Sequence, residues 1–234
     1  MNKVYQLSDV AGSPRIFVAQ PNMGLISPCH VVNLFDDAQN YTLFYFAPER
    51  RIPHDRARNF CVKAFLESDC DYILWLDDDS YLDGPCLKRL LMIDKPFVSA
   101  VFQTIKEGEK GSCLLVPTSM RETDDGYQPI YSAFIAEVEM APLACALIKR
   151  EVMEAIELPA FSWGEFKDEW GIEGLGEDVY FCRKVRAAGY RIWADYMSLG
   201  HHWIGMDTLA MNKMLHRIAR ESGGNVDTEA KRGK

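Results

Sequence analysis

The chain has 234 residues, of which 48% are hydrophobic, enough to bury a substantial core within a single domain. Its 26 basic and 34 acidic residues leave a net charge of -8, which disfavours a protein that coats duplex nucleic acid by neutralising phosphates. No run approaches the roughly 18 apolar residues of a membrane span and no signal-like stretch follows Met1. The 7 cysteines contain no C-x-x-C pair, so a cytoplasmic protein with reduced cysteines is expected.

In chain order, Ile16 to Ala19 reads as a buried strand that runs into the breaker-rich stretch Gln20 to Gly24. Ser27-Pro28 then supplies an N-cap and a first-turn proline for a helix expected to turn Val31, Val32, Leu34 and Phe35 inward. A strand is expected at Tyr41 to Phe46. From Pro53 to Ser68, Ala57, Phe60, Cys61, Ala64 and Phe65 recur at helical spacing. Tyr72 to Leu76 is too short an apolar run for a helix and suits a strand covered on both faces.

This alternation predicts an α/β fold with a mostly parallel central sheet and helices on both faces, in one domain spanning 1–222. Further strands are expected at Phe97 to Phe102, Cys113 to Val116, Ala133 to Val138, Leu143 to Ile148 and Arg191 to Ala194. Helices are expected from Glu177 to Ala188, ending at Gly189, and from a cap near Asp207 with Met211, Met214, Leu215 and Ile218 as its stripe. The charged tail 223–234 reads as disordered.

Ligands of parallel sheets bind beyond the carboxyl ends of the strands, which draws attention to Asp77, Asp78 and Asp79 directly after an apolar strand. Crowded like charges repel, so a cation is expected beside them. Alternate aspartates, Asp77 and Asp79, are placed to share one hard divalent ion, with Asp78 turned aside. The bland counterpart is a solvated acidic turn. A second acidic pair, Glu177 and Asp178, opens the late helix after Gly174-Leu175-Gly176. Dipole complementation there needs only one acid, whereas a carboxylate at a loop–helix junction also suits a general base. His201 and His202 add imidazoles, which would tilt the ion from Mg²⁺ toward Mn²⁺.

The order of these features resembles the GT-A glycosyltransferases, particularly small family-2-like enzymes of bacteria, phages and large viruses. The features are Pro21-Asn22, Ala57-Arg58-Asn59, Leu74 to Asp79, Gly176-Glu177-Asp178 leading to Gly189-Tyr190-Arg191-Ile192, and His201-His202. The resemblance covers Ile16 to Gly205. It implies a GT-A-like (Rossmann-like) fold, a UDP- or GDP-sugar donor and a divalent metal. Asp77 would face the ribose and Asp79 the metal, with Asp78 beside them, while Asp178, next to Glu177, would be the catalytic base. His201 or His202 would be the C-terminal metal ligand, with His201 favoured, and Pro21, Asn22, Arg58 and Asn59 would surround the base and ribose. The doubled histidine departs from the family pattern and leaves the ligand's register open.

Aromatic residues near the catalytic segment, Trp163 and Phe166 among them, suit acceptor contact as well as core packing. The acceptor would be a hydroxyl of a polysaccharide, glycan or protein. A hydroxylated pyrimidine in phage-type DNA is an alternative, since Arg183, Lys184, Arg186 and Arg191, together with Lys213, Arg217, Arg220, Lys231 and Arg232, can form a locally basic side. Two further alternatives are a nucleotidyltransferase, for which no phosphate-loop signature is present, and a non-catalytic nucleotide or carbohydrate-binding module.

Overall fold

The computed structural model describes residues 3–21, 28–48, 52–82, 84, 86–107, 113–124, 126–163 and 176–202; at 28–30, 81, 105–107, 113–115 and 201–202 it describes backbone alone. Asn22, Phe166, the stripe after Asp207 and the tail therefore lie outside the described residues, as do the side chains of His201 and His202.

Strand periodicity divides the interior in two. In β2 (Arg15–Ala19) and β4 (Tyr72–Leu76), Phe17, Ala19, Ile73 and Trp75 point to one face, where they pack with Cys61, Val62 and Phe65 of α2 (His54–Leu66), Val152 and Met153 of α4 (Arg150–Ala155) and Phe181, Cys182 and Val185 of α5 (Glu177–Ala187). Ile16, Val18, Leu74 and Leu76 point to the other face, toward α1 (Pro28–Asp37) and Leu87 and Leu90 of α3 (Leu87–Ile93). Both faces are covered, which is why these strands read as continuous apolar runs. Cys61, Cys70, Cys145 and Cys182 are buried and, with the half-buried Cys86, carry no disulfide.

The main sheet also contains β1 (Tyr5–Gln6), β3 (Thr42–Phe46), β6 (Phe97–Glu107), β10 (Ile135–Val138), β11 (Cys145–Lys149) and β12 (Ile192–His202) in the order β1-β3-β2-β4-β11-β6-β12-β10. β5 (Ser80–Leu82) joins β12, β7 (Cys113–Pro117) joins β6, and β8 (Met120–Thr123) pairs with β9 (Gly126–Pro129) in a separate ribbon. The sheet is mixed: β3, β2 and β4 are parallel to one another and β6 to β12, but β11 is inserted antiparallel to both β4 and β6. Its first residue, Cys145, consequently lies opposite Leu76, at the carboxyl end of β4.

Two local expectations are corrected. Val31, Val32 and Phe35 of α1 are 41%, 59% and 69% exposed, so they do not face inward as a set. Leu34 and Ala38, four residues apart, pack on the sheet instead, while Val31 and Phe35 border an open groove of about 270 Å³ with Leu7, Gln20 and Tyr45. The last strand, expected to stop at Ala194, continues to His202 through an irregularity between Asp195 and Leu199. Fully buried Asp195 holds that bulge, accepting from Arg89 Nε and Nη2, Ser198 Oγ and the Met197 N–H. Beyond it, His201 pairs with Tyr81 and His202 with Ser80 across the antiparallel β5–β12 ladder.

Gly200, in that distal half, has no room for a side chain: a Cβ would lie 2.2 Å from Phe102 Cε1 and Cζ, and Phe102 is fully buried. Gly200→Ala is expected to cost about 1–3 kcal/mol through overpacking, lowering the Tm by roughly 2–10 °C in a thermal melt.

Candidate active site

The strands β2, β3, β4, β6 and β12 run in one direction, so crossover helices start at their shared carboxyl edge. That geometry brings the first turns of α2 and α5 to the tip of β4. Asp77 continues the parity of Ile73 and Trp75 and thus faces the α2 and α5 side. There it meets Arg58, whose Nη2 donates to Asp77 Oδ2 at 3.1 Å.

Arg58 is the hub of the site. Only 1% of its side chain is exposed; its guanidinium lies 3.5 Å from Glu177 and 3.6 Å from Asp178, and the rings of Trp75 and Phe161 flank it at 5.3 Å and 5.8 Å. Burial opposes its charge, yet Asp77, Asp178 and Glu177 outweigh that penalty and raise its pKa. At Asp77 the protein itself thus supplies one cationic partner, Arg58.

Sequence reasoning overlooked His54, although it stands one helical turn before Arg58 on the same face of α2. Its Nδ1 lies 3.0 Å from Glu177 Oε1, and that hydrogen bond raises the His54 pKa. Burial alone would raise Glu177, but His54 and Arg58 pull it down to about 2. The stabilisation linked to Glu177 is present above its usual 4.5 and fades as pH falls through about 2. That linked to His54 is full below about 6.5 and fades at higher pH, so both are complete between about 4.5 and 6.5.

Asp178 behaves in the opposite sense. Burial, then the neighbouring charges of Glu177 and Asp77, push its pKa up to about 6 against the pull of Arg58, and its Oδ2 accepts the Leu143 N–H at 3.3 Å. Its side chain remains 28% exposed, although its Oδ1 is buried. Two adjacent carboxyls are therefore held on opposite sides of their ordinary range.

The remaining predicted residues divide around this centre. The backbone turns at Asp78 and Asp79, where Ser80 N–H donates to Asp77 O, and Asp79 is exposed. Asn59 clamps Phe161 by two bonds, donating from Nδ2 to its carbonyl and accepting its N–H, so it fixes the segment leading toward Trp163, which is 50% exposed. Pro21 is buried beside Gln20, whose Oε1 accepts from Tyr45 OH at 2.8 Å. Among the described residues, no three His, Cys, Asp or Glu side chains are grouped to hold a metal ion. The β5–β12 ladder nevertheless brings the backbone of His201 and His202 alongside the return from the acidic turn.

The sheet order and the helices on its two faces give this α/β protein a GT-A-like fold. Solved structures that share the fold include the following two. A197 from STIV aligns with a TM-score of 0.54 and 21% identity over 82% of this chain and 86% of that one. GalNAc-T7, in a crystal structure with UDP, GalNAc and Mn²⁺, aligns with a TM-score of 0.50 and 12% identity over 83% of this chain but only 44% of its own length. No protein-family model and no curated protein sequence matches the chain. No helix among the described residues is long and apolar enough to cross a membrane.

Proposed function

We propose that the chain is a metal-dependent glycosyltransferase that moves a sugar from a nucleotide-sugar to an acceptor hydroxyl. The observation that carries this reading is the meeting of Asp77, Glu177 and Asp178 around buried Arg58 at the carboxyl edge of the sheet. A nucleotide-sugar donor is supported by the shared fold with GalNAc-T7, whose crystal structure contains UDP, GalNAc and Mn²⁺.

The carboxylates Asp77 and Asp79 at the β4 tip offer the oxygen chemistry a hard divalent cation takes. Carboxylate oxygens are the ligands such an ion takes, phosphate oxygens and water completing its shell, and the β5–β12 ladder runs the backbone of His201 and His202 past the same turn. Asp79, Asp77 and one of His201 and His202 would hold the ion. When bound, the ion would offset charge that develops on a departing diphosphate. Asp178 takes the acceptor proton: its raised pKa makes it a better base than an ordinary aspartate, and its side chain is partly exposed. Glu177, locked by His54 and Arg58, stays ionised and orients the helix start. Asn59 holds the segment that presents Trp163.

A thermal-shift series with UDP- and GDP-sugars, with and without Mn²⁺ or Mg²⁺, tests the reading. One donor at about 100 times its Kd is expected to stabilise by about 2.7 kcal/mol, with metal present only. Stabilisation by no donor under either metal would overturn it, and release of inorganic pyrophosphate during turnover would assign a nucleotidyltransferase instead.

A further inference from the structure

Among the described residues, the proposed chemistry leaves a pair of neighbouring thiols unused. Cys86 Sγ and Cys145 Sγ lie 3.2 Å apart although the residues are 59 positions apart in sequence. Cys86 is half-buried at the N-cap of α3, whereas Cys145 is fully buried at the start of β11. Both belong to the α1 and α3 face of the sheet, while Cys61, Cys70 and Cys182 pack on the opposite face. The sheet itself separates the pair from these other thiols. Closing 3.2 Å to the ~2.05 Å of a disulfide requires a movement of only about 1 Å.

We propose that Cys86 and Cys145 are a redox-active dithiol, which a small-molecule disulfide converts into an internal cross-link behind the acidic turn. The inference stands independently of the proposed transferase chemistry. Cys86, the more accessible sulfur, loses its proton and attacks one sulfur of the oxidant, forming a mixed disulfide and releasing one small thiol. Cys145 then gives up its proton and attacks Cys86 Sγ, expelling the second small thiol, which takes up a proton. The two protein thiols are oxidised by two electrons and the oxidant is reduced to two thiols. The hydrogen bond to Cys86 and burial hold the Cys145 thiol well above its ordinary pKa, which fits Cys145 as the resolving rather than the attacking sulfur.

The position gives the bond a local effect. Cys145 is paired with Leu76, the last residue of β4, and Cys86 follows the β5 return, so a bond between them fixes both ends of the excursion that contains Asp77, Asp78 and Asp79. A cross-link closing so long a stretch of chain also restricts the unfolded state.

The full chain treated with oxidised glutathione is expected to lose two of its 7 thiols in denaturant, to yield a linked Cys86–Cys145 peptide on digestion, and to melt roughly 5–10 °C higher. Dithiothreitol is expected to reverse all three changes. Cys86→Ala and Cys145→Ala should each abolish the linked peptide, so a single folded variant is enough. Retention of all 7 thiols, or a cross-link that persists in either variant, would overturn the proposal.

Discussion

Arg58→Met is expected to lower global stability by about 3–5 kcal/mol, read as a shift in the urea midpoint at neutral pH. Methionine keeps the apolar bulk of the stem between Trp75 and Phe161, so the loss reports the charge rather than a cavity. Without the guanidinium, Asp77, Glu177 and Asp178 retain their mutual repulsion and lose their shared counter-ion in a site with little water. Arg58→Lys is expected to recover only part of the loss, because a single ammonium cannot address three carboxylates as a planar fork does. A neutral result for Arg58→Met would mean that the acids neutralise themselves, and the hub described above would be incidental.

Asp178→Asn is expected to separate activity from stability. If Asp178 is the base, turnover falls by about 10²–10⁴-fold, measured as nucleoside diphosphate release, and the wild-type rate declines as pH drops below about 6. Stability moves the other way. A carboxyl whose pKa rises from 3.8 to about 6 on folding binds its proton more tightly in the folded chain, so ionising it across that interval weakens the fold by about 2–3 kcal/mol. Asparagine resembles the protonated form. The variant should therefore melt several degrees higher than wild type at pH 7.5 and no higher at pH 3.5. A variant that melts lower at pH 7.5 while keeping its turnover would remove Asp178 from the base role.

Much of the fold was legible because its strands are short and covered on both sides. Tyr72 to Leu76 is bounded by an acidic break, and α2 follows its apolar repeat to within a turn. The position of Asp178 in the first turn of a helix was legible for a different reason, since Gly176 caps that helix. The role of Arg58 was less so. Sequence spacing shows that it lies on α2, but its three acidic partners come from two other elements, and only tertiary packing brings them together. The distal half of β12 was hidden because Asp195, Ser198 and Gly200 interrupt its apolar pattern, each for a local reason: a bulge to hold and a phenylalanine ring to accommodate. The α1 stripe misled because apolar spacing gives a helix face without saying that anything covers it.

The reversed direction of β11 has a consequence for how this protein can vary. It brings the four-residue approach Ala141-Pro142-Leu143-Ala144 to the acidic edge, where the main chain makes the contacts: Ala141 O with Cys182, Pro142 O with Ser99, Leu143 N–H with Asp178, and Ala144 O with both Asp77 N–H and Ser80 Oγ. Peptide groups are indifferent to many changes of side chain but not to a change in their number. Drift in the letters of this stretch should therefore be tolerated wherever the new side chain fits, whereas gaining or losing one residue would put every later contact out of step.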